Sequence, residues 1–508
     1  EAKGRGGCRP EMCPLLSWLA LLAASFLLLK FGIIFWEWNH LPPGSFPFPI
    51  LGNLWQLSFQ LHPATLLQLA QTHGPMFTVR VGPTPLVVLC GFRAVKEALV
   101  SHSEPLSGWP LIPLFRDLVG ERGKIRSAAW EEGTGFCLAT LQRLSQGLLA
   151  LELRLQEEAA GLVEGFHREQ ATEEDRECTI VRSTARVIEA VVFSHHFLSE
   201  DPFFQELIQA INFGLAFVCT VWCWLNDLFP CSFHCLPGPY QDMFRYQKVV
   251  RGYTHREISR HKLRTSEALK DFISCYLAQI IKATDNPVST FNEENLIQVV
   301  VGLFLGGTNT TATTLYWVFI NMIQRGAIQE RVQQELDAVL GTSGAICYKD
   351  HKLLPHTCAI LHEVQHLSSV VGAVRQCVTS THVHGHRVPR GVILSPSDSS
   401  FFWSFLPYSL PYIFLPKSHF RDLNKEGNFV VRKVFLPFSA GHQVCLGDQL
   451  AQMKLLLMFA TLLGTFSWRS PGLRLEYNFG GTRQPQPQKI CAIPRLNCPH
   501  PGPREEVL

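Results

Sequence analysis

Hydrophobic and polar positions divide the chain into an apolar start, a short alternating stretch and a mainly helical remainder. From Pro14 to Trp36 every residue is apolar except two serines and Lys30, which makes 23 residues. A run of this length can cross a bilayer once as a helix. Tryptophans, which favour membrane interfaces, stand near its ends: Trp18, Trp36 and Trp38. We therefore predict an uncleaved membrane anchor over residues 1–40 and one large domain over residues 41–508.

A proline-rich segment, Leu41–Pro49, follows the predicted anchor. Such a segment is stiff and polyproline-like, so it could hold the following domain at a set angle to the membrane. An ordinary linker is the alternative, and the sequence leaves both interpretations open. Basic residues also precede the apolar run, which opposes a simple positive-inside argument for a cytosolic domain.

Period-two alternation predicts an early β-hairpin, with Met76–Val81 and Pro85–Cys90 as its strands. Helical periodicity then dominates from Ala94 to about Leu367, and it includes an amphipathic helix that ends near Gly341. Strand-like pieces return around Val383–Leu394 and near the C-terminus. The predicted fold is mostly α with a minor β part.

One long segment, Leu296–Gln324, contains no charged residue over 29 positions, or about 43 Å of helix. Thr290 and Glu293 before it have the spacing of a capping box. A second membrane span is one interpretation. Threonines, asparagines and the pair Gly306-Gly307 within the segment favour a helix through the centre of a large domain, where Thr hydroxyls bond back to carbonyls.

Composition narrows the class of protein. The chain has 508 residues, 46% of them hydrophobic and 17% charged, which is enough apolar material for a large core and excludes a disordered chain. A net charge of +3 gives no global electrostatic case for nucleic acid. The 16 cysteines show no repeated spacing, so neither a zinc array nor a small disulfide scaffold fits.

One cysteine stands in a setting suited to chemistry, within the segment Phe438–Ala451. A thiolate that binds haem iron needs glycines for a tight turn, backbone N–H groups aimed at the sulfur, a shielding aromatic ring and a helix that begins just after the ligand. The residues that supply these parts are Phe438, Gly441, Cys445 and Gly447, with a predicted helix from Asp448.

In these residues the sequence resembles the cytochrome P-450 haem-thiolate monooxygenases, and their membrane-anchored microsomal family 2 group most closely. The resemblance covers nearly the whole chain, and its further motifs are Ala94–Leu99, Leu236–Pro239, Glu330–Glu335 and His362–Gln365. It implies the cytochrome P-450 fold around haem b, with insertion of one oxygen atom from O2 into small hydrophobic substrates (xenobiotic, fatty-acid or steroid-like). It also implies electrons from an NADPH-dependent flavoprotein reductase, with cytochrome b5 as an open second partner, and a single-pass location in the endoplasmic reticulum membrane facing the cytosol.

The resemblance also assigns residues. Cys445 corresponds to the iron ligand, and Thr310 to the threonine that helps deliver protons, with Asn309 before it. Gly306 and Gly307 correspond to the positions of the oxygen groove. Trp130 is assigned to haem binding, and Arg375 remains as a partner for a haem propionate.

Several departures from the family lie at sensitive positions. Arginines expected in the family are replaced by Thr134, His366 and Gln443, and an acid is replaced by Asn309. The stretch 392–416 lacks the expected loop and resembles a segment read in another frame. These losses leave a catalytically impaired pseudoenzyme with weak or no haem binding as the alternative function. A receptor or transporter that uses the uncharged segment as a second membrane span is a third class.

Two further sets of residues have a functional and a purely structural interpretation. Aromatic residues that could line a substrate pocket, or belong to the plain core, are Phe213, Phe217 and Phe304. Basic residues that could dock an acidic reductase, or form solvated surface, are Arg126, Arg143, Arg432 and Lys433. The sequence does not identify the substrate.

Overall fold

The computed structural model describes residues 14–48, 51–57, 63–82, 84–110, 128–146, 148–168, 176–193, 202–217, 220–228, 237–263, 271–286, 289–343, 346–368, 374–397, 422–433, 435–479 and 482–495. Its α-helices are α1 (Pro14–His40), α2 (Pro63–His73), α3 (Phe92–Lys96), α4 (Ala128–Gln146), α5 (Leu148–Arg168), α6 (Arg176–Phe193), α7 (Pro202–Phe217), α8 (Val221–Leu228), α9 (Pro239–Leu263), α10 (Phe272–Lys282), α11 (Glu293–Gly307), α12 (Asn309–Gln324), α13 (Gly326–Ser343), α14 (Pro355–Ser368) and α15 (Asp448–Thr465). Its strands are β1 (Met76–Val81), β2 (Thr84–Cys90), β3 (Arg375–Gln376), β4 (Thr381–Val383), β5 (His386–Val388), β6 (Ile393–Ser397), β7 (Phe466–Arg469), β8 (Tyr477–Phe479), β9 (Arg483–Pro485) and β10 (Cys491–Pro494).

The largest sheet has the strand order β1-β2-β6-β3. The predicted hairpin is confirmed: β1 and β2 are antiparallel, with Met76 opposite Leu89. Alternate residues of the hairpin enter two separate hydrophobic clusters, one on each face, which is why the period-two pattern was visible in sequence. Strand β6 is parallel to β2, so residues 393–397 of the unusual stretch 392–416 are part of this sheet, and residues 398–416 lie outside the described residues.

The helices enclose the main hydrophobic core, and the uncharged segment runs through it as α11 and α12. Thr308 separates these two helices, and α12 packs against α6, α14 and α15. Glu293–Gln324 is itself long and apolar enough to cross a membrane, although half of its most apolar part is buried inside the protein. Its packing in the core favours the predicted central helix over a second span.

The start of the central helix differs from the predicted capping box. Asn292 is the N-cap residue, because its side-chain oxygen accepts a hydrogen bond from the backbone N–H of Asn295 at 2.9 Å. The Asn295 side chain in turn donates to the Thr290 carbonyl at 2.6 Å. An asparagine closer to the helix therefore replaces Thr290 as the cap.

Helix α1 and the proline-rich segment are attached to the edge of the sheet. Thr78 of β1 makes two hydrogen bonds to the segment. Its N–H donates to the Pro43 carbonyl at 2.8 Å, and its hydroxyl donates to the Pro42 carbonyl at 2.9 Å. Near the end of α1, Glu37 and Arg80 form an ion pair at 2.5 Å. These contacts favour a segment that holds α1 in a set direction over a loose linker.

The three aromatic residues considered for a substrate pocket lie in the core instead. Phe304 is 1% exposed, and its ring lies 5.7 Å from that of Phe193. Phe213 stacks on Phe217, and both pack towards α9. Of the two interpretations of these residues, their packing favours the plain core, because their apolar bulk fills the space between helices.

Candidate functional site

The loop before α15 has the tight turn that its glycines predict. Gly441 has a φ of +76°, and a Cβ atom added there would lie 2.0 Å from the Leu99 carbonyl oxygen. Glycine is therefore required at this position by conformation and by space. The N–H of Cys445 donates to the carbonyl of Phe438 at 2.9 Å, which closes the loop.

Cys445 is accessible although protein surrounds it, so its sulfur lines a recess rather than the outer surface. Burial raises the pKa of its thiol, the backbone N–H of Gly447 opposes this by donating to the sulfur, and the charge of Asp448 raises the pKa further. Helix α15 begins at Asp448, so the sulfur also lies near the positive end of a helix dipole. Three parts of the predicted setting for a thiolate ligand are present, namely the glycine turn, an N–H near the sulfur and the start of a helix.

Arg375 connects the sheet to this loop. Its guanidinium donates to the Ser439 hydroxyl at 2.6 Å and to the Gln443 carbonyl at 2.8 Å. Burial lowers its pKa to about 10, and no carboxylate of the described residues lies within 4 Å of it. The Gln443 side chain points elsewhere and donates to the Ser107 carbonyl at 2.9 Å. Because these partners are neutral, the positive charge of Arg375 is available to pair with an anion.

On the central helix, Gly306 and Thr310 border open space. A Cβ atom on Gly306 would meet no atom within 4 Å, and the neighbouring Leu305 is 36% exposed in the middle of a core helix. The Thr310 hydroxyl donates to the Gly306 carbonyl at 2.5 Å, so the predicted back-bonding by threonine is present. This side of the helix can accommodate a ligand.

Asn309 lies beside Thr310 but is buried against other neighbours. Its side-chain NH2 donates to the side-chain oxygen of Asn212 on α7 at 2.7 Å. Its own side-chain oxygen has no hydrogen-bond partner among the described residues. Next to it, between Val181, Thr313 and Gln484, lies a cavity of about 10 Å³, which is room for one water molecule.

Gly306 and Gly307, to which the resemblance assigns one role, have different surroundings in the structure. A Cβ atom on Gly307 would lie 2.3 Å from Cδ1 of Ile188, so this glycine permits close helix packing and does not face the open side. Its carbonyl accepts a hydrogen bond from Lys454, a fully buried residue that sequence reasoning missed. The sequence did contain a sign of this burial, because Lys454 is the one charged residue between Asp448 and Arg469.

The structure describes the surroundings of other predicted residues less completely. Trp130 and Thr134 lie in α4, but their side chains are outside the described part of the chain. Glu363 is buried on α14, and His366 is half-buried one turn later. The predicted haem-binding role of Trp130 and the effect of Thr134 in place of an arginine therefore stay predictions.

Of the basic residues considered for docking, Arg432 and Lys433 are exposed shortly before the cysteine loop. Arg143 is exposed too, while its guanidinium donates to the sulfur of Cys275 at 2.8 Å. Arg126 lies outside the described residues. Arg432 and Lys433 therefore stay candidates for contact with an acidic partner.

Comparison with known proteins gives a family match along nearly the whole chain. The family Cytochrome P450 matches residues 42–492. The chain is 31% identical over 484 residues to cytochrome P450 2J2 of Homo sapiens, covering 94% of each chain. It is 32% identical over 484 residues to cytochrome P450 2C8 of Homo sapiens, covering 92% of this chain and 98% of the relative. It is 33% identical over 500 residues to cytochrome P450 2D26 of Rattus norvegicus, covering 94% of this chain and 98% of the relative.

Proposed function

Because the chain belongs to the cytochrome P450 family and is a monooxygenase with thiolate-ligated haem, we propose that Cys445 is the residue that binds the haem iron. The observation that carries this proposal is the setting of the Cys445 sulfur, which is accessible within a recess and receives the N–H of Gly447. A metal-bound thiol is deprotonated, so iron would overcome the raised pKa of the free thiol. The family match gives no support to the alternative of a pseudoenzyme.

Residues of the cysteine loop and of the central helix fit a haem group. Arg375 offers a buried positive charge that its neutral partners do not neutralise, which suits the carboxylate of a haem propionate. Gly306 leaves open space on the central helix, and a Cβ atom on Gly447 would likewise meet no atom within 4 Å. A flat macrocycle needs such open glycine surfaces.

Haem bound in this way supplies the redox chemistry that activates O2, so that one oxygen atom can enter a substrate. Around it, we assign three tasks to the chain. The N–H of Gly447 stabilises negative charge on the Cys445 sulfur. Arg375 holds the propionate side and the cysteine loop together. Thr310 holds a hydroxyl proton on the open side of the central helix.

Asn309 cannot supply a titrating proton, because an amide does not ionise in this range. We assign it a different task, which is to hold a water molecule in the small cavity beside it. That water would donate to the unpartnered side-chain oxygen of Asn309. The bond from Asn309 to Asn212 fixes the direction of the amide.

Substrates, partners and location form the finer part of the proposal. Small hydrophobic substrates suit the apolar surroundings of the central helix. Arg432 and Lys433 form a candidate docking surface for an NADPH-dependent flavoprotein reductase, with cytochrome b5 as a further candidate. Helix α1 exposes large apolar side chains, including Trp18 at 68% and Leu28 at 72%, which suits a single-pass anchor in the endoplasmic reticulum membrane with the domain facing the cytosol.

The test is the absorbance spectrum of the reduced protein under carbon monoxide. We expect the strongly red-shifted band of thiolate-ligated haem in the unmodified chain and its loss in Cys445→Ser. Cys491→Ser is the matched control, because Cys491 lies on β10 and has no part in the proposed site. Retention of the band in Cys445→Ser, or its absence from the unmodified chain, would contradict the proposal.

A further inference from the structure

Lys454 has an unusual position for a lysine. It lies on α15 with 1% of its surface exposed, surrounded by residues of the main core. Burial lowers its pKa to about 7. No carboxylate of the described residues lies within 4 Å of its amino group. A buried amino group is costly unless it is hydrogen-bonded, so its partners explain how the fold tolerates it.

Its two partners are backbone carbonyls on two other helices. The Lys454 amino group donates to the carbonyl of Gly307 at 2.7 Å and to that of Thr184 at 3.1 Å. Gly307 is the last residue of α11, so its carbonyl belongs to the negative end of that helix. A donor at this position satisfies a carbonyl at the point where the central helix is interrupted.

The surroundings leave little room for another arrangement. A Cβ atom on Gly307 would clash with Ile188, as its distance of 2.3 Å shows. The Thr184 hydroxyl lies within hydrogen-bonding distance of the Thr308 carbonyl, at 3.2 Å. Three helices, α6, α15 and the central helix, therefore meet at the break, where the Lys454 and Thr184 side chains join them.

We propose that Lys454 is a positioning residue, which fixes the break of the central helix and ties it to the helix that carries the Cys445 loop. Helix α15 begins three residues after Cys445, while the open-side residues Gly306 and Thr310 stand on either side of the break. Lys454 thus joins the helix that follows the Cys445 loop to the central helix. This role rests on the proposed function and deepens it.

Both protonation states of Lys454 can perform this role. The ammonium form has three hydrogens and the neutral amine has two, and only two carbonyls have to be satisfied. The link therefore persists when the group loses its charge. Removal of the amino group is needed to break it.

The experiment compares the purified full-length protein with Lys454→Met, in which a side chain of similar length lacks a donor. Hydrogen exchange, read by mass spectrometry, follows the amides of residues 308–312. We expect these amides to exchange about ten-fold faster in the variant, because a buried hydrogen bond to the helix end is lost. Met458→Leu is the control, since it alters packing on the same helix without removing a hydrogen bond.

A second readout follows the consequence for the site. With reductase and NADPH, we expect the share of electrons released as hydrogen peroxide to rise about two-fold or more in Lys454→Met and to stay unchanged in Met458→Leu. If Lys454→Met does not fold, Lys454→Gln replaces it, and its shorter amide should give a smaller increase in exchange. Wild-type exchange in a folded Lys454 variant would overturn the proposal. A missing carbon monoxide band in the unmodified chain would instead contradict the proposed function, while the exchange measurement would still decide the role of Lys454.

Discussion

Two buried cations, Arg375 and Lys454, both bind neutral oxygen atoms, but their surroundings differ. Arg375 holds the cysteine loop beside an accessible sulfur. Lys454 holds a helix break in a closely packed region, where a Cβ atom on Gly307 would already clash. The first cation therefore lies beside the accessible loop of the proposed haem site, whereas the second is enclosed by packed helices. Hydrogen bonds from a buried cation to neutral oxygen atoms thus accompany a proposed ligand-binding role at Arg375 and a proposed helix-positioning role at Lys454.

The largest expected effect on stability comes from a substitution in the tight turn of the cysteine loop. Gly441→Ala should lower the free energy of unfolding by more than about 3 kcal/mol, because a left-handed conformation and a clash with the Leu99 carbonyl add together. Urea unfolding measures this change. Gly427→Ala is the control, since Gly427 has a φ of +83° with open space around it and should lose only about 1 kcal/mol. Equal losses in both variants would mean that the close approach at Gly441 has no energetic weight.

The next change tests the difference between the two cations. Arg375→Met should weaken haem retention by about 2 kcal/mol, or about 30-fold, because a buried charge that suits a propionate is lost. Lys454→Met should leave haem retention nearly unchanged. Transfer of haem to an apo-myoglobin acceptor measures both rates. A larger effect of Lys454→Met would reverse the assignment of the two roles.

The third prediction concerns pH. Because the pKa of Lys454 falls from 10.5 to about 7 on folding, the unfolded chain binds more protons between these values. The free energy of unfolding should therefore rise with pH from about 7 to 9, by up to about 1.4 kcal/mol per pH unit. Buried thiols such as Cys358 titrate in the opposite sense above pH 9. Comparison with Lys454→Met isolates the lysine, and an equal slope in both proteins would contradict the shifted pKa.

The smallest expected effect concerns the side chain at position 443. Gln443→Ala should cost about 1 kcal/mol of stability, because it removes one neutral hydrogen bond to the Ser107 carbonyl. Gln443→Arg tests the departure from the family at the same position and should improve haem retention if the added charge reaches a propionate. Thermal unfolding and the haem-transfer rate check the two variants. A loss of haem in Gln443→Arg would show that Arg375 already supplies the charge that the site accepts.

Local rules predicted much of the structure. The hairpin followed from alternation, the start of α15 at Asp448 from the sequence after the cysteine, and the turn at Gly441 from the need for a tight approach. The side-chain environments of Phe304 and Lys454 could not be predicted in this way. Each depends on which distant helix packs against the residue, and helical periodicity does not contain that information.

The ion pair between Glu37 and Arg80 has a consequence for protein engineering. A shortened chain designed to begin at the proline-rich segment would keep Arg80 on β1 but lose the carboxylate that α1 brings to it. The boundary of a folding unit here lies before Glu37, several residues inside the apolar helix. A truncation that retains the last turns of that helix would preserve the edge of the sheet. It would also leave an apolar surface, which detergent or substituted polar residues must cover.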